Sequence, residues 1–313
     1  MRLVFMGTPS FVVPVLGALA NAQDVSVVGV FTPPDRPRGR GRTPEMPPVK
    51  ANALDRGLEV YQPVSLRSAR VQAELSSLQP DVIVVAAYGK ILPPQVLGTP
   101  RRGCLNLHPS LLPRHRGPSP VASAILEGAP VTGVTLMLLD EGMDTGPLIG
   151  QREYPLTGLE TVEELTYALF QLGTGLLLES LAPWVAGRLT ARAQDEAGAT
   201  VTRKLERNDG LVDWELPAAM LERRRRAYTP WPGLFAQWQG RVLKLLDVVA
   251  LPPDGAPRAQ PGRVVAVLSE DTPVGVATGE GVLGLKLVQL EGRRALAAEE
   301  FLRGHPQFLG SQL

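Results

Sequence analysis

Through the first half of the chain, short β-branched and apolar runs alternate with longer segments whose apolar residues recur at helical spacing. This is the pattern of an α/β domain built on a largely parallel sheet. Leu3 to Phe5 reads as a first strand, Phe11 to Ala20 as the helix after it and Val25 to Phe31 as a second strand. Lys50 to Gly57 reads as a helix, and Val82 to Ala87 as a continuous apolar strand of the kind buried on both faces. The strands run into loops of unusual chemistry: Gly7-Thr8-Pro9-Ser10, the segment Thr32 to Val49, Tyr88-Gly89-Lys90, and Asn106 to Gly117. Ligands of open α/β sheets gather at such carboxyl ends. From Thr161 to Trp184 the leucine spacing predicts a long helix, with Thr161 as its cap and Glu163 and Glu164 in its first turn.

Beyond that helix the pattern changes. Ala186 to Asn208 is polar, charged and glycine-containing, and reads as a linker carrying one or two short strands. A short arginine-rich helix is expected from Met220 to Tyr228. Brief β-like runs follow at Leu234 to Trp238, Val242 to Val249, Gly262 to Leu268, Val274 to Ala277 and Leu283 to Leu290, which favour a small antiparallel barrel or curled sheet. The boundaries drawn are 1–188 for the first domain, 189–208 for the linker and 209–313 for the second domain. A length of 313 residues agrees with two domains, and no internal repeat recurs.

Composition narrows the function classes. With 44% hydrophobic and 20% charged residues the chain reads as globular, and a net charge of +1 excludes a protein held on nucleic acid by bulk charge alone. Local patches remain: Arg36, Arg38, Arg40 and Arg42 alternate in one loop, and Arg223 to Arg226 form a run in the second domain. Each is either a solvated charged face or a phosphate-binding surface, and Lys204 and Lys244 can extend the latter. The single cysteine, Cys104, excludes an intrachain disulfide framework and a CxxC pair, so a reducing cytoplasm is expected. The apolar N-terminal run contains glycines and prolines that suit a strand and helix better than a signal peptide, and no other run reaches the ~20 apolar residues of a membrane span.

Of three histidines, His108 and His115 lie within ten positions of Asn106, and His305 lies near the C-terminus. His108 has two readings: a turn histidine satisfied by backbone groups, or a proton carrier at the mouth of a pocket. Asn106 and His108 are two residues apart, so on an extended strand both face one side, and an amide donor beside an imidazole suits acyl transfer. In Leu139-Asp-Glu-Gly-Met-Asp-Thr-Gly-Pro, the glycines and proline predict a loop. Asp144 there either closes a turn or returns to orient His108. Neither the three histidines nor Cys104 form a zinc pattern, so no metal is expected, and Ser110 has no base assigned by spacing. Gly7-Thr8-Pro9-Ser10 lacks the G-x-G-x-x-G spacing of a dinucleotide site, and no Walker lysine motif occurs.

Several motifs in a fixed order carry a resemblance. They are Met6-Gly-Thr-Pro-Ser-Phe11, Phe31-Thr-Pro-Pro-Asp-Arg-Pro-Arg-Gly-Arg-Gly41, Ala87-Tyr-Gly-Lys90, Asn106-Leu-His-Pro-Ser-Leu-Leu-Pro-Arg-His-Arg-Gly117, and Gly133-Val-Thr to Asp144-Thr-Gly146. In the second domain they are Lys204-Leu, Val212-Asp-Trp214 and Arg226-Ala-Tyr-Thr-Pro-Trp-Pro232. Over nearly its whole length the chain resembles the bacterial methionyl-tRNA formyltransferase family. The resemblance implies a Rossmann-like α/β formyltransferase domain followed by a small OB-like β-barrel, 10-formyltetrahydrofolate as donor and initiator methionyl-tRNA as acceptor. It implies a reacting centre of Asn106, His108 and Asp144. Ser110, Leu111, Leu112 and Pro113 would shape the folate loop, and Ala86, Tyr88 and Leu138 would line the same cleft. Arg36, Arg38, Arg40, Arg42, Lys204, Arg223, Arg224 and Arg226 would meet tRNA. A cytoplasmic monomer without an obligate protein partner follows from the same resemblance. Two departures stand out: Pro109 where the family often has glycine, which removes a backbone donor, and Thr202 where it often has alanine.

Overall fold

The computed structural model describes residues 1–38, 43–253, 259–267 and 272–313. The chain forms two compact units. The first comprises 1–120, 131–156 and 164–202; the second comprises 203–313 together with 121–130 and 157–163.

The first unit is built on seven strands: β1 (Arg2–Gly7), β2 (Ser26–Phe31), β5 (Val60–Tyr61), β6 (Val82–Ala86), β7 (Cys104–His108), β8 (Val131–Leu138) and β9 (Leu148–Pro155). Their order is β5-β2-β1-β6-β7-β8-β9. Pairing is parallel from β5 to β7 and antiparallel for the last two strands. Two more strands, β3 (Arg36–Arg38) and β4 (Thr43–Glu45), make a separate hairpin in the arginine loop, which sequence reasoning left irregular. The strand order reverses between β1 and β6, where Gly7 lies beside Ala86. Parallel sheets open a ligand crevice at the carboxyl ends next to such a reversal. Glycine is needed at position 7, because a Cβ there would sit 2.7 Å from the Phe5 ring and 3.0 Å from the Ala86 carbonyl oxygen.

Alternation along the strands explains the two layers. Leu3, Phe5, Val84, Leu105, Leu107 and Leu136 point to one face, where residues of α1 (Val13–Asn21), α2 (Pro48–Asp55) and α6 (Val162–Val185) join the same core. Val4, Met6, Ile83, Val85 and Cys104 point to the other, with Leu75 of α3 (Ala69–Ser77) and Val96 of α4 (Pro94–Leu97). By length and composition α6 is apolar enough to cross a membrane, contrary to the expectation from sequence. Its Phe170, Leu176, Leu177 and Leu181 instead complete the first core.

In the second unit, β10 (Phe235–Trp238), β11 (Arg241–Leu251), β14 (Val282–Leu290), β13 (Val274–Ala277) and β12 (Val264–Ala266) form an antiparallel sheet in that order, with β15 (Leu296–Ala297) also on β14. It is the OB-like curled sheet that the short β runs predict. Trp238 meets Phe301 of α8 (Ala298–Gly304) and Phe308 edge-on in its core. The arginine run lies on α7 (Ala218–Tyr228), while α5 (Pro120–Glu127) falls almost wholly in the second unit despite its early place in the chain.

Between α6 and the second unit, the expected short strands do not form. Residues 189–202 make isolated bridges, Arg192 with Leu148 at the start of β9 and Val201 with Arg116 in the loop after β7, each a single-residue pairing that does not extend into a ladder.

Candidate active site

Asn106 and His108 sit on β7 between parallel β6 and antiparallel β8. Leu105 and Leu107 are buried in the core beneath, so strand alternation turns Asn106 and His108 to the opposite face. Asn106 is half-buried, and among the described residues no hydrogen bond occupies its side-chain amide. His108 is 4% exposed.

The chain beyond β7 folds back on the imidazole. Ser110 N–H donates to the His108 carbonyl, the Ser110 hydroxyl donates to the Arg114 carbonyl, and the Thr135 hydroxyl donates to the Ser110 carbonyl. Leu112 N–H donates to the Thr135 hydroxyl oxygen, and Gln151 donates to the Leu112 carbonyl. The loop then brings the His115 carbonyl to 3.0 Å from His108 Nε2. A carbonyl oxygen only accepts, so Nε2 carries the proton and the neutral ring keeps its lone pair on Nδ1.

Nδ1 faces Asp144, whose Oδ2 lies 3.6 Å away, longer than a hydrogen bond and an ion pair only once the ring is protonated. The same Oδ2 accepts Gly117 N–H at 2.8 Å. Asp144 has φ +56°, a left-handed conformation uncommon for a residue with a Cβ. Its turn is closed by another residue: Asp140 accepts the Thr145 hydroxyl and Gly142 N–H. The two readings of this loop therefore fall to different aspartates. Burial pushes the His108 imidazole below its ordinary pKa, while the Asp144 carboxylate and the His115 carbonyl pull it back upward.

The polar segment before the second unit buttresses this loop. Arg116, 5% exposed, donates to Gln194 and Glu196. Thr200 Oγ1 accepts His115 N–H. The Thr202 hydroxyl donates to the Arg116 carbonyl and accepts Ser119 N–H, a bridge that alanine at this position cannot make. A Cβ on Gly117 would meet the Thr202 carbonyl oxygen at 2.7 Å, so glycine keeps this contact open. Sequence reasoning missed Arg116, Gln194, Glu196 and Thr200, and the only signal was the unusual polarity of a stretch that looked like a spacer.

The predicted cleft residues divide. Ser110 and Leu112 have their polar groups closed internally and shape the loop, whereas Leu111, Pro113 and Leu138 are half-buried. Ala86 is fully buried. The Tyr88 ring is packed in the core, and burial pushes its hydroxyl up to about 12, so only its backbone is available to a cleft. The Cys104 thiol is likewise buried and pushed up to about 12, which makes it inert. Among the described residues, no group of three or more His, Cys, Asp or Glu side chains could hold a metal ion.

The arginines divide as well. Arg36 and Lys204 are exposed, and Arg223 and Arg224 are partly exposed. Near the hairpin, Gln62 and Lys50 bind Asp35 and hold its carboxyl below the ordinary range. Arg40 and Arg42 lie outside the described residues, as does the side chain of Arg38. Arg226 corrects the sequence expectation: it is 6% exposed, paired with Glu222 and donating to the Glu160 carbonyl, so its guanidinium is spent inside the second unit.

A formyl transferase family model matches residues 1–181, and a formyl transferase C-terminal domain model matches 204–306. The methionyl-tRNA formyltransferase of Chloroflexus aggregans is 47% identical over 304 residues, covering 97% of each chain. Among solved structures, the N-formyltransferase from Helicobacter canadensis, in complex with folinic acid and dTDP-3-aminofucose, superposes with a TM-score of 0.65 at 16% identity, covering 91% of this chain and 99% of that one. HypX from Aquifex aeolicus in complex with tetrahydrofolic acid gives a TM-score of 0.62 at 21% identity over 96% of this chain. This chain spans only 47% of HypX. At such identities the two structures speak to the fold. With both domain models matched in order and a near-full-length relative at this identity, the chain belongs to the methionyl-tRNA formyltransferase family.

Proposed function

We propose that Asn106, His108 and Asp144 carry out transfer of the formyl group of 10-formyltetrahydrofolate to the α-amino group of initiator methionyl-tRNA. The products are N-formylmethionyl-tRNA and tetrahydrofolate. The observation that carries this reading is the polarity of His108: Nε2 is closed by a carbonyl, while Nδ1 faces a carboxylate on the side of the sheet that Asn106 shares.

The residues present suit a folate. Half-buried Leu111, Pro113 and Leu138 offer apolar surface, and the Asn106 amide is an unspent polar group, the mixture that binds a flat heterocycle bearing polar edges. When bound, the folate supplies an activated formyl group. The chain's own residues supply the rest. His108 Nδ1 takes the proton of the attacking amine, which must react as the neutral base, and passes it to the donor nitrogen released when that nitrogen's bond to the formyl carbon breaks. Asp144 stabilises the resulting imidazolium, and Asn106 donates to the oxygen on which negative charge develops. No formyl-enzyme intermediate is needed, because no nucleophilic side chain is activated in this arrangement.

Formyl transfer is assigned to 1–188 and tRNA binding to 209–313, joined by 189–208. Arg36, Lys204, Arg223 and Arg224 contact phosphates, where their charge acts without reading base sequence. Arg38, Arg40 and Arg42 are assigned to the same surface on sequence alone. The chain acts as a monomer in the cytoplasm.

The test is single-turnover transfer to methionyl-tRNA at saturating substrates, in the wild type and in folded Asn106→Ala and Asp144→Ala variants. Transfer by the wild type with large losses in both variants supports the assignment; equal rates in all three would remove it.

A further inference from the structure

We propose that Gln194 is a positioning residue for the transfer, holding Asp144 against His108 from a segment fifty residues further along the chain. This rests on the reading that Asp144 serves His108. Gln194 Nε2 donates to the carbonyls of Asp144 at 2.8 Å and Gly146 at 2.7 Å. Its Oε1 accepts from Arg116 Nε at 3.1 Å and Nη2 at 2.9 Å. The orientation of the amide is dictated chemically, since a flip would set its NH2 against the guanidinium and its oxygen against two carbonyl oxygens.

These bonds close a ring around the carboxylate. Asp144 Oδ2 accepts Gly117 N–H, Gly117 follows Arg116, Arg116 donates to Gln194, and Gln194 donates back to the Asp144 carbonyl. The side chain of Asp144 is thereby tied on one side and its left-handed backbone on the other. Arg116 is held in turn by Glu196. At 3.6 Å the Asp144–His108 contact has no hydrogen bond of its own to keep it aligned, so its geometry depends on this ring. Second-layer groups of this kind set the orientation of the groups that react.

The experiment uses the full chain with Gln194→Ala and Gln194→Glu. Glutamate keeps the side-chain length and gives Arg116 a stronger partner, but presents only acceptors to the two carbonyls. Formylation of methionyl-tRNA is followed across pH, with kcat and KM separated. The charged and titratable groups facing His108 are Asp144 and His115, and the Arg116 guanidinium is acted on by the carboxylates of Asp144, Asp140 and Glu196.

Both variants are expected to lose about tenfold or more in kcat, with KM for methionyl-tRNA held within about twofold. The acidic limb of the rate profile should shift to lower pH, because a displaced Asp144 no longer raises the His108 pKa. Glutamate should do no better than alanine, although a purely structural role would let its ion pair with Arg116 restore activity. Wild-type kcat and an unmoved acidic limb in either variant would overturn the inference while leaving the parent reading intact. A wild-type enzyme unable to formylate methionyl-tRNA would remove both.

Discussion

The loop after β7 and the helix α7 both place arginines in dense clusters, and each buries one. Arg116 and Arg226 are exposed to 5% and 6%, and each buried guanidinium is closed by acceptors: Gln194 and Glu196 for the first, Glu222 and the Glu160 carbonyl for the second. Their neighbours differ. The loop surrounds Arg116 with bonds that converge on Asp144 and His108, whereas α7 leaves Arg223 and Arg224 partly exposed beside a spent Arg226. A run of like charges in a sequence therefore does not define a binding surface. Which arginines remain available is decided by helical spacing and by where carboxylates and carbonyls lie to receive them.

Variants can sharpen this contrast. The largest effect should come from the loop: Asn106→Ala should lower single-turnover transfer by about 10²–10³. Thermal unfolding should be nearly unchanged, because no hydrogen bond within the described residues is lost. On α7, Arg226→Ala should act on stability instead. Leaving Glu222 without its partner should cost about 2–3 kcal/mol in denaturant unfolding of the second unit, with transfer by the folded fraction retained. Loss of transfer without loss of stability would return Arg226 to the functional surface.

A smaller effect follows from the buried imidazole. The folded pKa of His108 lies below its unfolded value of 6.5, so as pH falls the unfolded chain takes up this proton first. Stability should drop below pH ~6.5 with a slope from this group of at most ~1.4 kcal/mol per pH unit, levelling once the folded imidazole protonates. His108→Gln should remove that contribution, and an unchanged slope in the variant would contradict it. The smallest effect belongs to the available arginines. Arg223→Ala and Arg224→Ala should each reduce the salt dependence of tRNA binding by about one phosphate contact. Stability should stay within about 0.5 kcal/mol.

The trio proposed to react was legible before any fold was known, for different reasons at each residue. Asn106 and His108 are coupled by strand alternation, which is a local property. Asp144 was open to two readings from the residues alone, and the family resemblance favoured the one at His108, because nothing local distinguishes it from Asp140 in the same glycine-rich loop. The alternating strands and long α6 were likewise readable from period, but β8 and β9 were not picked out from theirs. The grouping of 121–130 with the second unit is a matter of spatial packing, to which sequence period is blind. Gln194 and Thr200 were hidden by composition, and Thr202 stood out only as a departure from the family: a polar stretch looks like a spacer until its partners, more than forty residues earlier, are seen.

The most direct measurement of the central claim is transfer of labelled formyl from 10-formyltetrahydrofolate by the unaltered chain to three matched acceptors: initiator methionyl-tRNA, the same tRNA uncharged, and small amines including amino sugars. The account predicts label on methionyl-tRNA alone, bound through the α-amino group. Transfer confined to a small amine would contradict it.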